Sequence, residues 1–332
     1  MKASRIKSGW SVLAACAALL SAALLSAWAP DSLGQAAFPS RPINLYVSNP
    51  PGSDTDTTAR LTGAWLEQQF KQPVVVNNRP GAGGALAAEA MLRAPQDGYS
   101  LLIASSSMAY IDATLKDPPF VAARDLKAIA IIGGSGLCIV VHPDFPARTM
   151  AEFVSYVRAN PGKVNFGMVG PYPVPGIADM KSRLHLDWVD VPYPGGAAAF
   201  TALIAGQLQA FNATPHAALA FAKAGKIRVL AHADDQRSPL LPDVPTVAET
   251  VLPKMRSLVW FGLIGPAGMP PDGVRKLNAA IVKMTSDPDY GRKLQSMGYQ
   301  FYPWDADAVQ SEFASTAKMG AETYARIGIT RQ

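Results

Sequence analysis

The sequence predicts an α/β protein with two lobes. From residue 38 onward, short apolar runs with strand character alternate with helical patterns, and this alternation is typical of a parallel sheet covered by helices. The chain has 332 residues and is 49% hydrophobic, which is enough apolar material for two cores. The pattern places the crossings of the chain near residues 142 and 255. We therefore expect one lobe from residues 38–141 and 256–332, and a second lobe from residues 142–255.

Residues 1–37 have the pattern of a signal peptide. Basic residues near the start are followed by an uncharged apolar run over residues 10–29 and by small residues at positions 34–37. This order predicts cleavage near residue 37, with Phe38 at the start of the exported chain. An uncleaved membrane anchor is the alternative, because the apolar run is long enough to span a bilayer. We favour cleavage, since a small-residue cleavage region and a globular sequence follow directly.

The first strand and the first helix meet at a turn that can bind an anion. Residues 43–47 have an apolar strand pattern, two prolines and a glycine at positions 50–52 end it, and a helical pattern follows. Ser53 and Asp56 have the spacing of a capping box. The N-terminus of such a helix points unpaired backbone N–H groups at one spot, where an anion or a carbonyl oxygen can bind. The alternative is an ordinary capped helix with no ligand.

A glycine-rich turn at residues 79–84 leads into the second helix. It differs from the dinucleotide fingerprint G-x-G-x-x-G, because Leu86 stands at the sixth position, so we expect a turn for close packing of helix and strand. The remaining strand patterns lie at residues 73–76, 100–104, 129–132, 137–141, 164–166, 188–191, 208–211, 227–231 and 258–264, and later helical patterns lie at residues 150–158, 271–285 and 305–324.

A serine-rich loop follows the strand pattern at residues 100–104. It contains Ser105, Ser106 and Ser107. Ligands of open α/β sheets bind beyond the carboxyl ends of the strands, so we expect this loop beside residues 51–56. A solvated turn is the alternative for such a loop.

Composition and motifs exclude several function classes. The formal net charge is +5, and no cluster of Lys and Arg alternates with aromatic residues, so we expect no nucleic-acid partner. The histidines show neither an i, i+4 pair nor an H-E-x-x-H motif, which argues against a zinc site. No G-x-S-x-G elbow or P-loop occurs, although a serine–histidine–aspartate triad need not be local in sequence. After cleavage Cys138 is the one cysteine, and its apolar neighbours predict a buried strand residue without a disulfide.

Several segments, in their order along the chain, resemble one family. They read FPSRPI at residues 38–43, PPG at 50–52 together with Asp56, NRPGAGG at 78–84, DGY at 97–99, VPY at 191–193, GQLQ at 206–209, AGK at 224–226, DVPTVAE at 243–249 and WFGL at 260–263. Together they resemble the tripartite tricarboxylate transporter substrate-binding proteins, also called Bug receptors, over residues 38–330. The resemblance implies a type 2 periplasmic binding protein, whose two α/β lobes close like a flytrap on a ligand in the cleft between them.

The resemblance also implies a receptor and not an enzyme, with no cofactor and no metal. Its ligand is expected to be a small carboxylate, an amide or an amino acid. The receptor is expected to work as a monomer in the periplasm and to serve membrane permease subunits or a sensor. The alternative is a secreted hydrolase that uses Ser105 or Ser106. A ligand-induced thermal shift without turnover of the ligand separates the two.

The resemblance and the loops described above together predict the ligand contacts. The predicted contacts are Pro51, Gly52, Ser53, Asp54, Thr55 and Asp56 in the first loop, Ser105, Ser106 and Ser107 in the second, and Gly170, Tyr172, Ala213 and Thr214 in the second lobe. Asp54 stands where the family usually has a small neutral residue, and its side chain could point either into the cleft or to solvent.

The second lobe departs from the family in its polar residues. Met168, Val169, Pro171 and Ala213 stand where relatives commonly carry hydroxyl or amide side chains. Proline has no N–H, and aliphatic side chains offer no hydrogen-bond donor. We therefore expect a ligand with one acceptor end for the first lobe and an apolar, aromatic or amine-bearing remainder against Tyr172, and not a small dicarboxylate.

Overall fold

The structure is a computed structural model, and it describes residues 38–169 and 172–331. The predicted signal peptide and the predicted ligand contact Gly170 lie outside the described residues. The described residues from Arg41 onward form one compact unit. Within the described ranges, no helix combines the length and the apolarity needed to cross a membrane.

Strands and helices alternate along the described chain, as the sequence predicts. The strands are β1 (Ile43–Val47), β2 (Val74–Asn78), β3 (Ser100–Ser105), β4 (Leu126–Gly136), β5 (Cys138–Val141), β6 (Asn165–Val169), β7 (Val189–Tyr193), β8 (Ala210–Ala213), β9 (Arg228–His232) and β10 (Leu258–Pro266). The helices are α1 (Asp54–Phe70), α2 (Ala85–Leu92), α3 (Ala122–Asp125), α4 (Met150–Ala159), α5 (Pro175–Arg183), α6 (Gly196–Ile204), α7 (Pro215–Lys223), α8 (Val247–Thr250), α9 (Pro271–Ser286), α10 (Pro288–Ser296) and α11 (Ala306–Ile327). Short 3₁₀ helices occur at Ala82–Gly84 and Ser106–Ala113.

The strands form two mixed sheets. The first has the order β2-β1-β3-β10-β4, with β1 parallel to β2 and β3, and β10 antiparallel to β3 and β4. The second has the order β7-β6-β8-β5-β9, with β6 parallel to β7 and β8, and β5 antiparallel to β8 and β9. Helices connect the parallel strands, so the central strands are apolar along most of their length. We call each sheet with its helices a half of the molecule.

The chain passes between the halves at two neighbouring points. The first passage is Leu137, between β4 and β5, and the second is residues 233–257, between β9 and β10. The backbone N–H of Ala233 donates to the Leu137 carbonyl at 2.7 Å, and the N–H of Ser257 donates to the Ala233 carbonyl at 3.0 Å. The boundary expected at residue 142 falls after β5, whereas the change of sheet comes before it, because Cys138–Val141 hydrogen-bonds to β8 and β9.

Each half has its own apolar core. In the second half, Phe166 and Trp188 stack with ring centroids 4.5 Å apart beneath α4 and α5. Cys138 is fully buried and is a free thiol, as its apolar neighbours predict. Burial raises the pKa of this thiol to about 12, so the reactive thiolate is scarce at neutral pH.

Candidate functional site

Asp56 holds the loop between β1 and α1 in place. The residue is 3% exposed. Its carboxylate accepts hydrogen bonds from the backbone N–H of Gly52 (2.9 Å), from Asn78 Nδ2 (2.9 Å) and from Arg60 Nε (3.0 Å). Burial by itself raises the pKa of this carboxyl, but these three hydrogen bonds outweigh burial and hold the pKa below its ordinary value. Asp56 is therefore a buried carboxylate that shapes the loop.

Ser53 caps α1, as the sequence predicts. The second hydrogen bond of a capping box, from the Ser53 N–H to the Asp56 carboxylate, is not formed. Ser53 Oγ accepts a hydrogen bond from the Asp56 N–H at 3.2 Å. The Asp56 carboxylate bonds to the N–H of Gly52, and the N–H of Ser53 donates instead to the Pro50 carbonyl at 3.3 Å. The backbone donors of Gly52, Ser53 and Asp56 are thus used within the loop.

The N–H groups that remain at the start of α1 belong to Asp54 and Thr55. Within the described ranges neither has an acceptor, and Pro51 has no N–H to offer. Unpaired N–H groups in the first turn of a helix, together with the positive end of the helix dipole, favour an anion. Of the backbone N–H groups predicted to bind an anion, only those of Asp54 and Thr55 therefore remain available.

The serine loop leaves the same edge of the first sheet as the loop before α1. Val47 of β1 pairs with Ile103 of parallel β3, so both loops follow the carboxyl ends of neighbouring strands. Ser105 Oγ and Ser107 Oγ lie 2.8 Å apart, and Ser106 is buried in the 3₁₀ helix that begins there. The two loops therefore lie side by side, as expected from the sequence.

Gly84 lets the glycine-rich turn pack against both loops. Its φ of +104° is a left-handed conformation that favours glycine. A Cβ at this position would lie 2.9 Å from Ser48 Cβ and 3.1 Å from Met108 Cε. The turn at residues 79–84 is thus a close-packing device, as the sequence predicts.

An aromatic pair that the sequence does not predict lies beside these loops. Phe261 of β10 pairs in register with Ser105, and its ring stacks on Tyr299 with centroids 5.1 Å apart. Tyr299 Oη lies 3.2 Å from the hydroxyl of Thr58 on α1. Phe261 falls within the WFGL segment noted above, but nothing local in the sequence connects it to Tyr299.

Tyr299 also indicates where the side chain of Asp54 lies. Burial raises the pKa of the Tyr299 phenol, the hydrogen bond with Thr58 opposes that rise, and the negative charge of Asp54 adds to it. Asp54 is exposed in the first turn of α1. Its charge therefore acts on the aromatic pair as well as on the helix dipole.

The second half contributes the ends of β6 and β8. Val169 is 46% exposed, while Met168 and Ala213 are buried. Thr214 is half-buried at the N-cap of α7, and its side chain makes no capping hydrogen bond. Gly298, next to Tyr299, lies close to the start of α7, since a Cβ on Gly298 would be 3.4 Å from the backbone nitrogen of His216. The chain at residues 298–299 therefore connects the aromatic pair of the first half with α7 of the second.

Tyr172 packs against the end of the chain. Its hydroxyl donates to the carbonyl of Thr330 at 2.7 Å and lies 3.5 Å from the carbonyl of Thr114. Its ring lies 5.9 Å from the ring of Tyr324 on α11. That Tyr172 also contacts the ligand stays a prediction, because the aromatic pair beside the first-half loops, Tyr299 and Phe261, is buried.

The serine loop shows no sign of a hydrolytic triad. Among the described residues, no histidine hydrogen-bonds to Ser105, Ser106 or Ser107. The buried His232 faces two carbonyl oxygens instead, with Nδ1 2.8 Å from that of Gln236 and Nε2 3.1 Å from that of Gly136. A serine without a hydrogen-bonded base is a weak nucleophile.

Two α/β halves joined by neighbouring passages, with polar loops at the carboxyl ends of their strands, define a solute-binding protein. Residues 58–329 match the family described as the tripartite tricarboxylate transporter family receptors. The chain belongs to this family, and its class is that of receptors that bind solutes. The family model thus confirms the resemblance, and it favours the receptor over the hydrolase.

Known proteins with a similar sequence or fold agree with this assignment. A UPF0065 protein of Bordetella pertussis is 32% identical over 271 residues, which is 81% of this chain and 83% of that protein. A structure described as a periplasmic transporter is 31% identical, with a TM-score of 0.76 over 89% of this chain and 99% of that chain. MatC from Rhodopseudomonas palustris, solved with bound malate, is 28% identical, with a TM-score of 0.70 over 85% of this chain and all (100%) of that chain.

Proposed function

We propose that this receptor binds one carboxylate or amide end of a small organic ligand at the start of α1. The observation that carries the proposal is the pair of unpaired N–H groups on Asp54 and Thr55 in the first turn of α1, at the same edge of the first sheet as the hydroxyls of Ser105 and Ser107. Helix N-termini bind carboxylates by this combination of free N–H groups and dipole. The stacked Phe261 and Tyr299, which are 9% and 5% exposed, form a buried aromatic pair that supports the loop through Thr58.

The ligand that we propose has a single acceptor end. At the strand ends of the second half, Val169 and Ala213 carry no side-chain donor, and Thr214 offers one hydroxyl. Burying a second carboxylate without partners costs several kcal/mol, which is more than one good hydrogen bond returns. The charge of Asp54 further disfavours a second negative group near the loop.

Calorimetry on the exported chain tests this ligand class. We expect the tightest ligand among benzoate, nicotinamide, neutral amino acids, succinate, malate and citrate to carry one carboxylate or amide end. At a ligand concentration of about 100 Kd, the bound compound stabilises the fold by roughly 2.7 kcal/mol and is recovered unchanged. Tighter binding of succinate, malate or citrate than of every other compound would contradict the proposal. Conversion of a bound compound would support a hydrolase instead.

We further propose that the chain is exported to the periplasm, where cleavage near residue 37 releases a monomer. The basic start and the apolar run over residues 10–29 support this, as does the periplasmic transporter among the related structures. We expect the intact mass of the exported protein to match a chain that begins at Phe38. A chain that retains the apolar run, or that begins with a lipid-modified Cys16, would contradict cleavage near residue 37.

Delivery to a membrane permease or to a sensor completes the proposed function. Receptors of this family are described as parts of a tripartite transporter. The permease subunits are therefore the partner that we propose first, with a sensor as the alternative.

A further inference from the structure

A cavity lies between α5 and the C-terminal tail, which we define as residues 328–331. Its volume is about 530 Å³, and the described residues that line it belong to residues 172–190 and 327–330. Ligand pockets of proteins have volumes of about 300–1,000 Å³ and mostly apolar walls. Here the apolar wall includes Ile177, Leu186, Trp188 and Ile329. None of the lining residues belongs to the loop before α1 or to the serine loop at the end of β3, so the cavity is distinct from both loops.

The walls of the cavity come from both halves, and hydrogen bonds hold them together. Helix α5 packs in the second half, whereas α11, which leads into the tail, packs on β4 and on the 3₁₀ helix Ser106–Ala113 of the first half. The Tyr172 hydroxyl donates to the Thr330 carbonyl at 2.7 Å, and Arg326 Nη2 donates to Asp179 Oδ1 at 2.8 Å. These bonds hold the tail across α5, so an occupant of the cavity contacts both halves.

Hydrogen-bond donors collect on the face of α5 that lines the cavity. Lys181 Nζ donates to the Trp188 carbonyl (2.8 Å) and to Asp190 Oδ2 (2.7 Å). Its third N–H is available to another acceptor. Asp190 Oδ1 is also occupied, since it accepts from Trp188 Nε1 at 2.8 Å. Within the described ranges, the Ser182 hydroxyl and the His185 ring have no hydrogen-bond partner, although both line the cavity. The polar end therefore offers the third N–H of Lys181, the Ser182 hydroxyl and the His185 ring as donors to an acceptor group, while the charge of Lys181 is paired with that of Asp190.

His185 occupies a backbone position that favours glycine. Its φ is +49°, and the N–H of Leu186 donates to the Lys181 carbonyl at 2.9 Å, so the end of α5 has the hydrogen bond of a Schellman motif. A side chain in the left-handed region costs stability relative to glycine. The exposed ring of His185 thus lies at the wall of the cavity on a backbone position that glycine would occupy with less strain.

We propose that this cavity is a second ligand site, for a small amphipathic monocarboxylate. The apolar body of the ligand packs against Ile177 and Trp188, and its carboxylate accepts from Lys181, Ser182 and His185. The site shares none of its donors with the start of α1, so the inference stands apart from the proposed function.

Hexanoate and its neutral analogue hexanamide test the site by calorimetry on the exported chain. We expect hexanoate to bind at least about tenfold more tightly than hexanamide, because the amide lacks the charge that the donors favour. Ile329→Trp fills the cavity from the half-buried tail without a change in the core, and we expect it to abolish hexanoate binding. The same loss with Thr55→Pro, while Ile329→Trp still binds, would place hexanoate at the start of α1 and overturn the proposal.

Glycine substitutions separate a binding role of His185 from a structural one. His185→Gly removes the ring and relieves the left-handed backbone, so we expect a higher melting temperature together with about tenfold weaker hexanoate binding. Lys254→Gly is the matched control, because Lys254 also has a positive φ, +64°, and lies outside the residues that line the cavity. It should raise the melting temperature and leave binding unchanged. Unchanged hexanoate affinity in His185→Gly, equal binding of hexanamide, or no binding of hexanoate at all would overturn the proposal.

Discussion

Replacing Asp56 with alanine is expected to lower the free energy of unfolding by about 3 kcal/mol, because it removes a buried carboxylate that accepts from two donors of the loop, and a hydrogen bond to a charged group is worth roughly 1.5 kcal/mol or more. Those donors are the Gly52 N–H and Asn78 Nδ2, each 2.9 Å from the carboxylate. The ion pair with Arg60 adds little, since the Arg60 side chain is 58% exposed. Urea denaturation of the exported chain measures the change.

Asp54→Ala is the matched control for this substitution. Asp54 lies two positions earlier on α1, is exposed, and makes no side-chain hydrogen bond among the described residues. We expect its unfolding free energy to stay within about 0.5 kcal/mol of the unaltered chain. Equal losses in the two variants would show that the buried hydrogen bonds of Asp56 do not stabilise the loop.

The effect of Asp56 depends on pH in a defined direction. The native pKa of Asp56 lies below its ordinary value, because the hydrogen bonds outweigh burial. A carboxyl of this kind contributes stability above the unfolded pKa of about 3.9, and this contribution is lost as the pH falls through the lower native pKa. The difference between the unaltered chain and Asp56→Ala should therefore be constant from neutral pH to about pH 5 and should shrink below about pH 4. A difference that grows in acid would contradict this account.

Thr55→Pro is expected to weaken binding of the cognate ligand by on the order of ten- to a hundredfold, because a hydrogen bond to a charged oxygen is worth roughly 1.5–3 kcal/mol. Thr55 is the second residue of α1, and its N–H has no acceptor among the described residues. Proline at this position therefore removes a ligand donor without breaking a hydrogen bond of the helix. Calorimetry with the tightest ligand of the screen described above gives the ratio of the Kd values.

Asp272→Pro controls for the effect of proline itself. Asp272 is the second residue of α9, a helix that also packs on the first sheet, and it follows Pro271. The variant loses an exposed ion pair with Arg275, which contributes little. We expect normal ligand affinity in this control. If Thr55→Pro folds and binds as tightly as Asp272→Pro, the start of α1 plays no part in binding.

Local patterns in the sequence predict the elements that depend on neighbours along the chain. The cap of α1 by Ser53 follows from residue spacing, and the burial of Cys138 follows from its apolar run. The neighbouring positions of the loops at the start of α1 and at Ser105 follow from a general rule of open α/β sheets. These features need no knowledge of distant contacts.

Features that depend on distant residues could not be predicted in this way. The stacking of Phe261 on Tyr299 and the bond from Tyr172 to Thr330 join residues far apart in sequence. The assignment of β5 to the second sheet rests on hydrogen bonds to β8 and β9, whereas its sequence pattern suits either sheet. The capping-box spacing predicts a hydrogen bond from the Ser53 N–H to the Asp56 carboxylate. In the structure the N–H of Gly52 makes that bond, and the N–H of Ser53 donates to Pro50.

The neighbouring passages at Leu137 and Ala233 also constrain the order in which the protein folds. Strands β4 and β10 pair along the first sheet, although the whole second half separates them in sequence. Bringing their ends together in an unfolded chain carries the entropy cost of closing a long loop, which slows folding. Once the second half has folded, the bonds from Ala233 to Leu137 and from Ser257 to Ala233 hold those ends side by side. We therefore expect the second half to form early and β10 to join the first sheet last.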